Sequence, residues 1–119
     1  MKHSAEYYIE HLEMEPHVEG GYFKECLLEK EERNLWSSIY FMLAKGEVSH
    51  FHRLKSDEVW YYHDGNALTI YMIDEAGKLT AAKLGLDLEK GEVPQVLVPK
   101  GMIFGSAMEA VSYTHLRAH

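Results

Sequence analysis

The stretch SHFHRLKSDEVWYYHDG, residues 49–65, carries the strongest structural signals in the chain. Strand-forming residues lie on both sides of the polar connection RLKSD, residues 53–57, and they follow the pattern of short β-strands. Asp64-Gly65 at the end is a strong signal for a two-residue turn. We therefore predict two consecutive strands here, with a turn after the second.

Outside this stretch, short strand-like segments recur about every 8–12 residues, which is typical of an antiparallel sandwich or barrel. Their sequences are GGYFKECLL (20–28), LWSSIYFML (35–43), ALTIYMID (67–74), LTAAKL (79–84), PQVLVP (94–99) and MIFGSAM (102–108). A short helix precedes them, because Ser4 can act as its N-cap and Ala5, Tyr8, Ile9 and Leu12 have helical spacing. The sequence predicts an all-β domain over residues 1–110 with one short N-terminal helix.

The composition of the chain disfavours some classes of binding partner. The chain has 119 residues, enough for one domain, and a net charge of −7, which disfavours binding to nucleic-acid phosphates. We find neither an apolar run of membrane-spanning length nor the apolar core of a signal peptide. A single cysteine, Cys26, excludes an internal disulfide. We therefore expect no nucleic-acid or membrane partner and a cytoplasmic location.

The C-terminal segment VSYTHLRAH, residues 111–119, differs from the rest of the chain. It contains Arg117 and two histidines but no acidic residue, in a chain that is otherwise strongly acidic. As a string it resembles the translated read-through of a sequencing adapter. We expect this segment to be non-native and the domain to be incomplete at its C-terminus. Deleting it should change the free energy of unfolding by less than about 2 kcal/mol.

Three residues in the opening stretch suggest a site. Side chains alternate along a strand, so His50 and His52 should share a face, and Glu58 should reach it if the two strands pair. Two histidines and one carboxylate suit Fe(II), Mn(II) or Zn(II). The same residues also suit an acid–base pair in which Glu58 orients His52. Both interpretations remain open at this point.

The spacing of Gly46, His50, His52, Glu58 and Gly65 resembles the first motif of the cupins. The second cupin motif, P-x-G-x-x-H, is matched by PKGMIF, residues 99–104, except at its last position. Phe104 occupies the position of that histidine. The resemblance therefore implies that the fourth ligand of the metal-binding cupins is absent.

Longer segments resemble one family within the cupins. These are HVEGGYFKE (17–25), YFMLAKGEVSHFHRLKSDEVW (40–60) and LGLDLEKGEVPQVLVPKG (84–101). They are similar to the fifth cupin family, long catalogued as a domain of unknown function. This resemblance implies a double-stranded β-helix, or jelly roll, that is usually dimeric and related in shape to nucleotide-sugar epimerases. We therefore expect a homodimer.

The functional hypotheses follow from His52, Glu58 and the family resemblance. We expect a cupin-type protein that binds a small molecule, with His52 and Glu58 as catalytic residues in epimerase- or isomerase-like chemistry on a sugar or sugar nucleotide. The residues predicted to line the pocket are Tyr22, Lys24, Trp60, Tyr62 and Gln95. One alternative is a ligand-binding protein without catalysis, and neither of these two requires a cofactor. The other alternative is a divalent transition metal held by His50, His52 and Glu58.

Overall fold

The computed structural model describes residues 3–30, 34–44 and 46–108. Side chains are described for these residues except 27–30 and 34–36. The segment 111–119, predicted above to be non-native, lies outside the described residues. Within them, no helix has the length and apolar character needed to cross a lipid bilayer.

The described chain contains one α-helix, ten β-strands and one 3₁₀ turn. In chain order they are α1 (Ala5–His11), β1 (Glu15–Pro16), β2 (Tyr22–Lys30), β3 (Asn34–Met42), β4 (Val48–Arg53), β5 (Glu58–Tyr61), β6 (Leu68–Ile73), β7 (Leu79–Leu84), the 3₁₀ turn (Leu88–Lys90), β8 (Glu92–Val93), β9 (Gln95–Val98) and β10 (Ile103–Ala107). Each strand-like segment of the sequence overlaps one of these strands.

The helix α1 begins where its capping residue predicts. The Ser4 hydroxyl accepts a hydrogen bond from the backbone N–H of Tyr7 at 3.1 Å, which satisfies one of the unpaired donors of the first turn. The hydroxyl of Tyr8 donates to the carboxylate of Asp64, so the helix is tied to the turn that follows β5. The predicted N-terminal helix is confirmed.

The strands form three sheets in the described part of the chain. One has the order β1-β2-β3, a second β4-β10-β6-β7-β8, and a third contains only β5 and β9. All neighbouring strands are antiparallel except β7 and β8, which are parallel. The prediction of an all-β fold is confirmed.

The strand pairing differs from the one that would have joined His52 and Glu58 along a single sheet. The strands β4 and β5 do not pair across RLKSD, since β4 pairs with β10 and β5 pairs with β9, in different sheets. The carboxylate of Asp57 accepts a hydrogen bond from the backbone N–H of Lys100 at 2.8 Å, which fixes the start of β5 beside the loop after β9. For the same reason Asp64-Gly65 does not close a hairpin, since β5 and β6 lie in different sheets.

The core lies between the five-stranded sheet and the β5-β9 sheet. Phe104 and Ile70 from the larger sheet, each at most 1% exposed, pack with Val96 and Val98 of β9. Trp60 of β5 packs against the same cluster. Side chains alternate along a strand, so the residues of this cluster mark the inner face of each strand to which they belong.

A β-bulge in β4 determines which of its residues reach that inner face. Phe104 of β10 is paired with His52, and Ser106 with Ser49, so the two residues 50–51 lie opposite the single Gly105. A bulge of this kind shifts the alternation by one residue. Ser49 and His52 therefore both lie on the inner face although they are three positions apart.

Candidate functional site

His52 lies on the inner face of β4 with its ring position fixed by two contacts. Its ring centroid is 4.4 Å from that of Phe104, its partner across the sheet. Its Nδ1 atom is 2.8 Å from the carbonyl oxygen of His50. Because a carbonyl oxygen can only accept, Nδ1 carries the hydrogen. In the neutral imidazole, Nε2 is then an unprotonated nitrogen that can accept a proton.

Glu58 approaches His52 from the other sheet. It begins β5, lies opposite the buried Val98 and accepts a hydrogen bond from the indole N–H of Trp60. Burial raises the pKa of the Glu58 carboxyl, while the hydrogen bond from Trp60 and the charge of His52 lower it less strongly. The carboxyl therefore keeps its proton to a higher pH than an ordinary glutamate. His52 and Glu58 lie on strands of different sheets, and the charge of His52 is near enough to influence the pKa of the Glu58 carboxyl.

A second histidine, His17, lies in the loop between β1 and β2, within range of the charge of His52. Its Nδ1 accepts a hydrogen bond from the backbone N–H of Glu19 at 3.0 Å, so the hydrogen of the neutral ring lies on Nε2. Burial lowers the pKa of His17, the nearby charge of His52 lowers it further, and the charge of Glu19 raises it. The neutral form of His17 is thus favoured, and its Nε2–H is a hydrogen-bond donor.

The paired glycines after His17 explain how this loop reaches β4. Gly20 has a φ of +111°, and a Cβ atom at this position would lie 2.1 Å from the carbonyl oxygen of Val48. Only glycine allows so close an approach of the two backbones. The backbone N–H of His50 then donates to the carbonyl of Glu19 at 2.8 Å. The loop is therefore attached along the bulged part of β4.

Aromatic rings connect the two histidines. The ring of His17 is 5.7 Å from Phe41 of β3, Phe41 is 5.4 Å from Trp60, and Trp60 is 6.4 Å from Phe104, each in edge-to-face geometry. Phe104 completes the series at His52. We refer to His17, His52 and Glu58 as the acid–base cluster, and these rings form its apolar surroundings. Trp60, predicted to line a pocket, belongs to them.

Sequence reasoning did not include His17 among the site residues. Strand spacing gives no signal for a single histidine in a loop. Two features of the sequence point to it: the paired Gly20-Gly21, which require a close backbone contact, and its place at the start of the family-like segment HVEGGYFKE.

Gln95, predicted to contact a ligand, lies on the outer side of β9. In β9 the buried Val96 and Val98 face inward, so Gln95, which alternates with them, is exposed on the outer face. It is paired there with the exposed Tyr61. The side chain of Gln95 therefore points away from the core that Val96 and Val98 enter.

Two further predicted pocket residues, Tyr22 and Lys24, lie on the other face of β2. Phe23 between them contacts the ring of His17 at 5.2 Å, which places Phe23 on the inner face and its two neighbours on the outer face. The ammonium of Lys24 is 3.9 Å from the carboxylate of Glu13. The side chains of Tyr22 and Lys24 thus point away from the face of β2 that contacts His17.

Tyr62 lies nearer to the core but uses its polar group for the fold. Its ring packs against the buried cluster, and its hydroxyl donates to the carbonyl oxygen of Gly65 at 2.6 Å. This bond closes the turn that follows β5. The hydroxyl is thus occupied, and Tyr62 contributes its ring alone to the interior.

The predicted metal ligands are not brought together. Among residues 3–30, 34–44 and 46–108, no three His, Cys, Asp or Glu side chains are grouped so that they could hold a metal ion. The bulge takes His50 out of the inward alternation that His52 follows, and Phe104 packs on the face of His52. The geometry does not fit the set of His50, His52 and Glu58, and we derive no chemistry through a metal.

Comparison with known proteins identifies the family. The model of Cupin_5, described as "Cupin superfamily (DUF985)", matches residues 6–116. A crystal structure of a protein from Shewanella oneidensis is similar at 57% identity and a TM-score of 0.86, covering 91% of this chain and 71% of that one. A hypothetical protein from Leishmania major is similar at 33% identity and a TM-score of 0.82, covering 93% and 73%. No curated protein matches. The chain belongs to the Cupin_5 family of the cupin superfamily.

Proposed function

We propose that the chain binds a small polar molecule at the acid–base cluster and transfers a proton on it, with His52 as the base. The observation that carries this proposal is the hydrogen bond from His52 Nδ1 to the carbonyl of His50, which leaves Nε2 free to accept a proton. General bases of this kind are most often histidines whose tautomer is fixed by their second nitrogen.

The neighbouring groups support distinct roles. Glu58 retains its proton to a higher pH than usual, so it serves as a general acid, and when ionised it stabilises a protonated His52. The Nε2–H of His17 donates a hydrogen bond to an oxygen of the bound molecule. The rings of Trp60 and Phe104 limit the access of water, and hydrogen bonds and charges act more strongly in such surroundings.

The substrate class we propose is a sugar or sugar nucleotide, and the reaction an epimerisation or isomerisation. Such a reaction breaks a C–H bond next to a carbonyl group of the substrate, moves its proton to His52 Nε2 and delocalises the electron pair onto the carbonyl oxygen, which accepts a hydrogen bond from Nε2–H of His17. A proton then returns to the opposite face or to a neighbouring carbon. No cofactor is needed for these steps. A cytoplasmic location and a homodimer belong to the same proposal and rest on the sequence alone.

The test is incorporation of deuterium from heavy water into a panel of sugars and sugar nucleotides. We expect His52→Ala to lower the exchange rate by about 100-fold or more, the usual contribution of a general base. The control is His11→Ala, an exposed histidine at the end of α1, which should exchange at the rate of the unchanged chain. Unaltered exchange in His52→Ala contradicts the proposal. Tight binding of a panel member without exchange indicates the non-catalytic alternative.

A further inference from the structure

Next to the acid–base cluster, the inner face carries two buried hydroxyl groups. Ser106 of β10 is 0% exposed and Ser49 of β4 is 3% exposed, and the two are directly paired across the sheet. Ser106 is two residues after Phe104, so both side chains point to the same side of β10. The serine pair therefore lies one step along the sheet from the pair formed by His52 and Phe104.

Within residues 3–30, 34–44 and 46–108, the hydroxyl of Ser106 has no hydrogen-bond partner. Its neighbour on the other side, Ile70, is fully buried and apolar, so it offers none. Buried hydroxyls nearly always have a partner, and one without a partner makes the fold less stable. Alanine would fit at position 106 without leaving a hydroxyl unpaired. The presence of serine there suggests that a bound ligand supplies the missing hydrogen-bond partner.

We infer that Ser106 Oγ is a ligand contact, a subsite for one hydroxyl group of a neutral, polyhydroxylated molecule. A serine hydroxyl both donates and accepts, as does the hydroxyl group of a sugar. The apolar Ile70 and Phe104 beside it disfavour a charged group at this position. The position of the reacting carbon at His52 rests on the proposed function.

The spacing of residues along a strand is of the size of a single sugar ring. Two residues along a strand cover about 7 Å. A hexose with one carbon beside Nε2 of His52 can therefore present a hydroxyl group to Ser106. The bulge in β4 makes this arrangement possible, because it places Ser49 opposite Ser106 instead of the bulkier His50.

The experiment measures binding of neutral hexoses, UDP-hexoses and their singly deoxygenated analogues by titration calorimetry. Ser106→Ala should weaken binding of the best hexose or UDP-hexose by about tenfold, the value of one neutral hydrogen bond. One deoxygenated analogue should bind the variant and the unchanged chain equally well. The control is Ser38→Ala, an exposed serine of β3, which should bind as the unchanged chain does.

Several results overturn the inference. Binding to Ser106→Ala within about twofold of the unchanged chain shows that the hydroxyl makes no ligand contact. A clear loss of stability in Ser106→Ala shows that the hydroxyl already has a partner inside the fold. Absence of binding by every sugar tested removes the ligand class. If instead Ser106→Ala loses affinity while His52→Ala exchanges deuterium normally, the subsite stands and the proposed catalysis fails.

Discussion

Replacing Phe104 with alanine removes the largest of the fully buried side chains of the described core. Phe104 is 1% exposed and contacts the ring of His52 at 4.4 Å and that of Trp60 at 6.4 Å. Deletion of a buried phenylalanine costs its transfer free energy and leaves a cavity, together about 3–5 kcal/mol. Since single domains are stable by about 5–15 kcal/mol, this is a large share of the total.

The assay is chemical denaturation, with the free energy of unfolding taken from the midpoint and slope. Phe104→Leu keeps most of the volume and should cost no more than about 1.5 kcal/mol. Leu97→Ala is the surface control, because Leu97 is 52% exposed on the outer face of β9, and it should cost no more than about 0.5 kcal/mol. A cost for Phe104→Ala below about 1 kcal/mol would mean that the ring is not buried between the sheets as described, and that His52 is not held by it.

Two further predictions concern the site and its loop. Burial raises the pKa of Glu58, so the folded chain holds this proton more tightly than the unfolded chain does. The resulting stabilisation is complete below the ordinary glutamate pKa. It is lost as the pH rises through the pKa of the folded chain. Glu58→Gln should therefore gain stability relative to the unchanged chain between these pKa values in a pH series of denaturation curves, and a constant difference at all pH values contradicts this. Gly20→Ala should lower the free energy of unfolding by about 2 kcal/mol or more, because its Cβ atom would strike the carbonyl of Val48. Gly77→Ala, with a similar positive φ but open space around it, is the matched control, and an equal cost in both variants refutes the close contact of the loop with β4.

The local elements were predictable from the sequence because their signals are local. The helix follows from its cap at Ser4 and the spacing of its apolar residues, and each strand from a run of strand-forming residues between turns. Which strands pair is decided by contacts far apart in sequence. Nothing in residues 49–65 shows that β4 pairs with β10 and β5 with β9, so the local sequence could not decide whether β4 and β5 pair with each other.

The same limit explains the results for the site residues. Whether a side chain of a strand points inward or outward depends on which of the alternating positions is buried. In β9 the buried positions are Val96 and Val98, so Gln95 points outward. In β4 the bulge changes the phase after Ser49, so equal spacing of His50 and His52 did not place them on one inner face. Loop contacts such as that of His17 are specified by glycine conformation, which alternation patterns do not describe.

The central claim is that the charge of His52 acts on both His17 and Glu58, and that His17 and His52 hold opposite tautomers. Nitrogen-15 NMR of the histidine side chains measures this directly, since the two nitrogens of each ring differ in chemical shift with their protonation. We predict that neutral His52 carries its hydrogen on Nδ1 and neutral His17 on Nε2. In His52→Gln the pKa of His17 should rise, because the charge that lowers it is gone. The same tautomer in both rings, or a titration of His17 that does not respond to His52→Gln, would contradict the account.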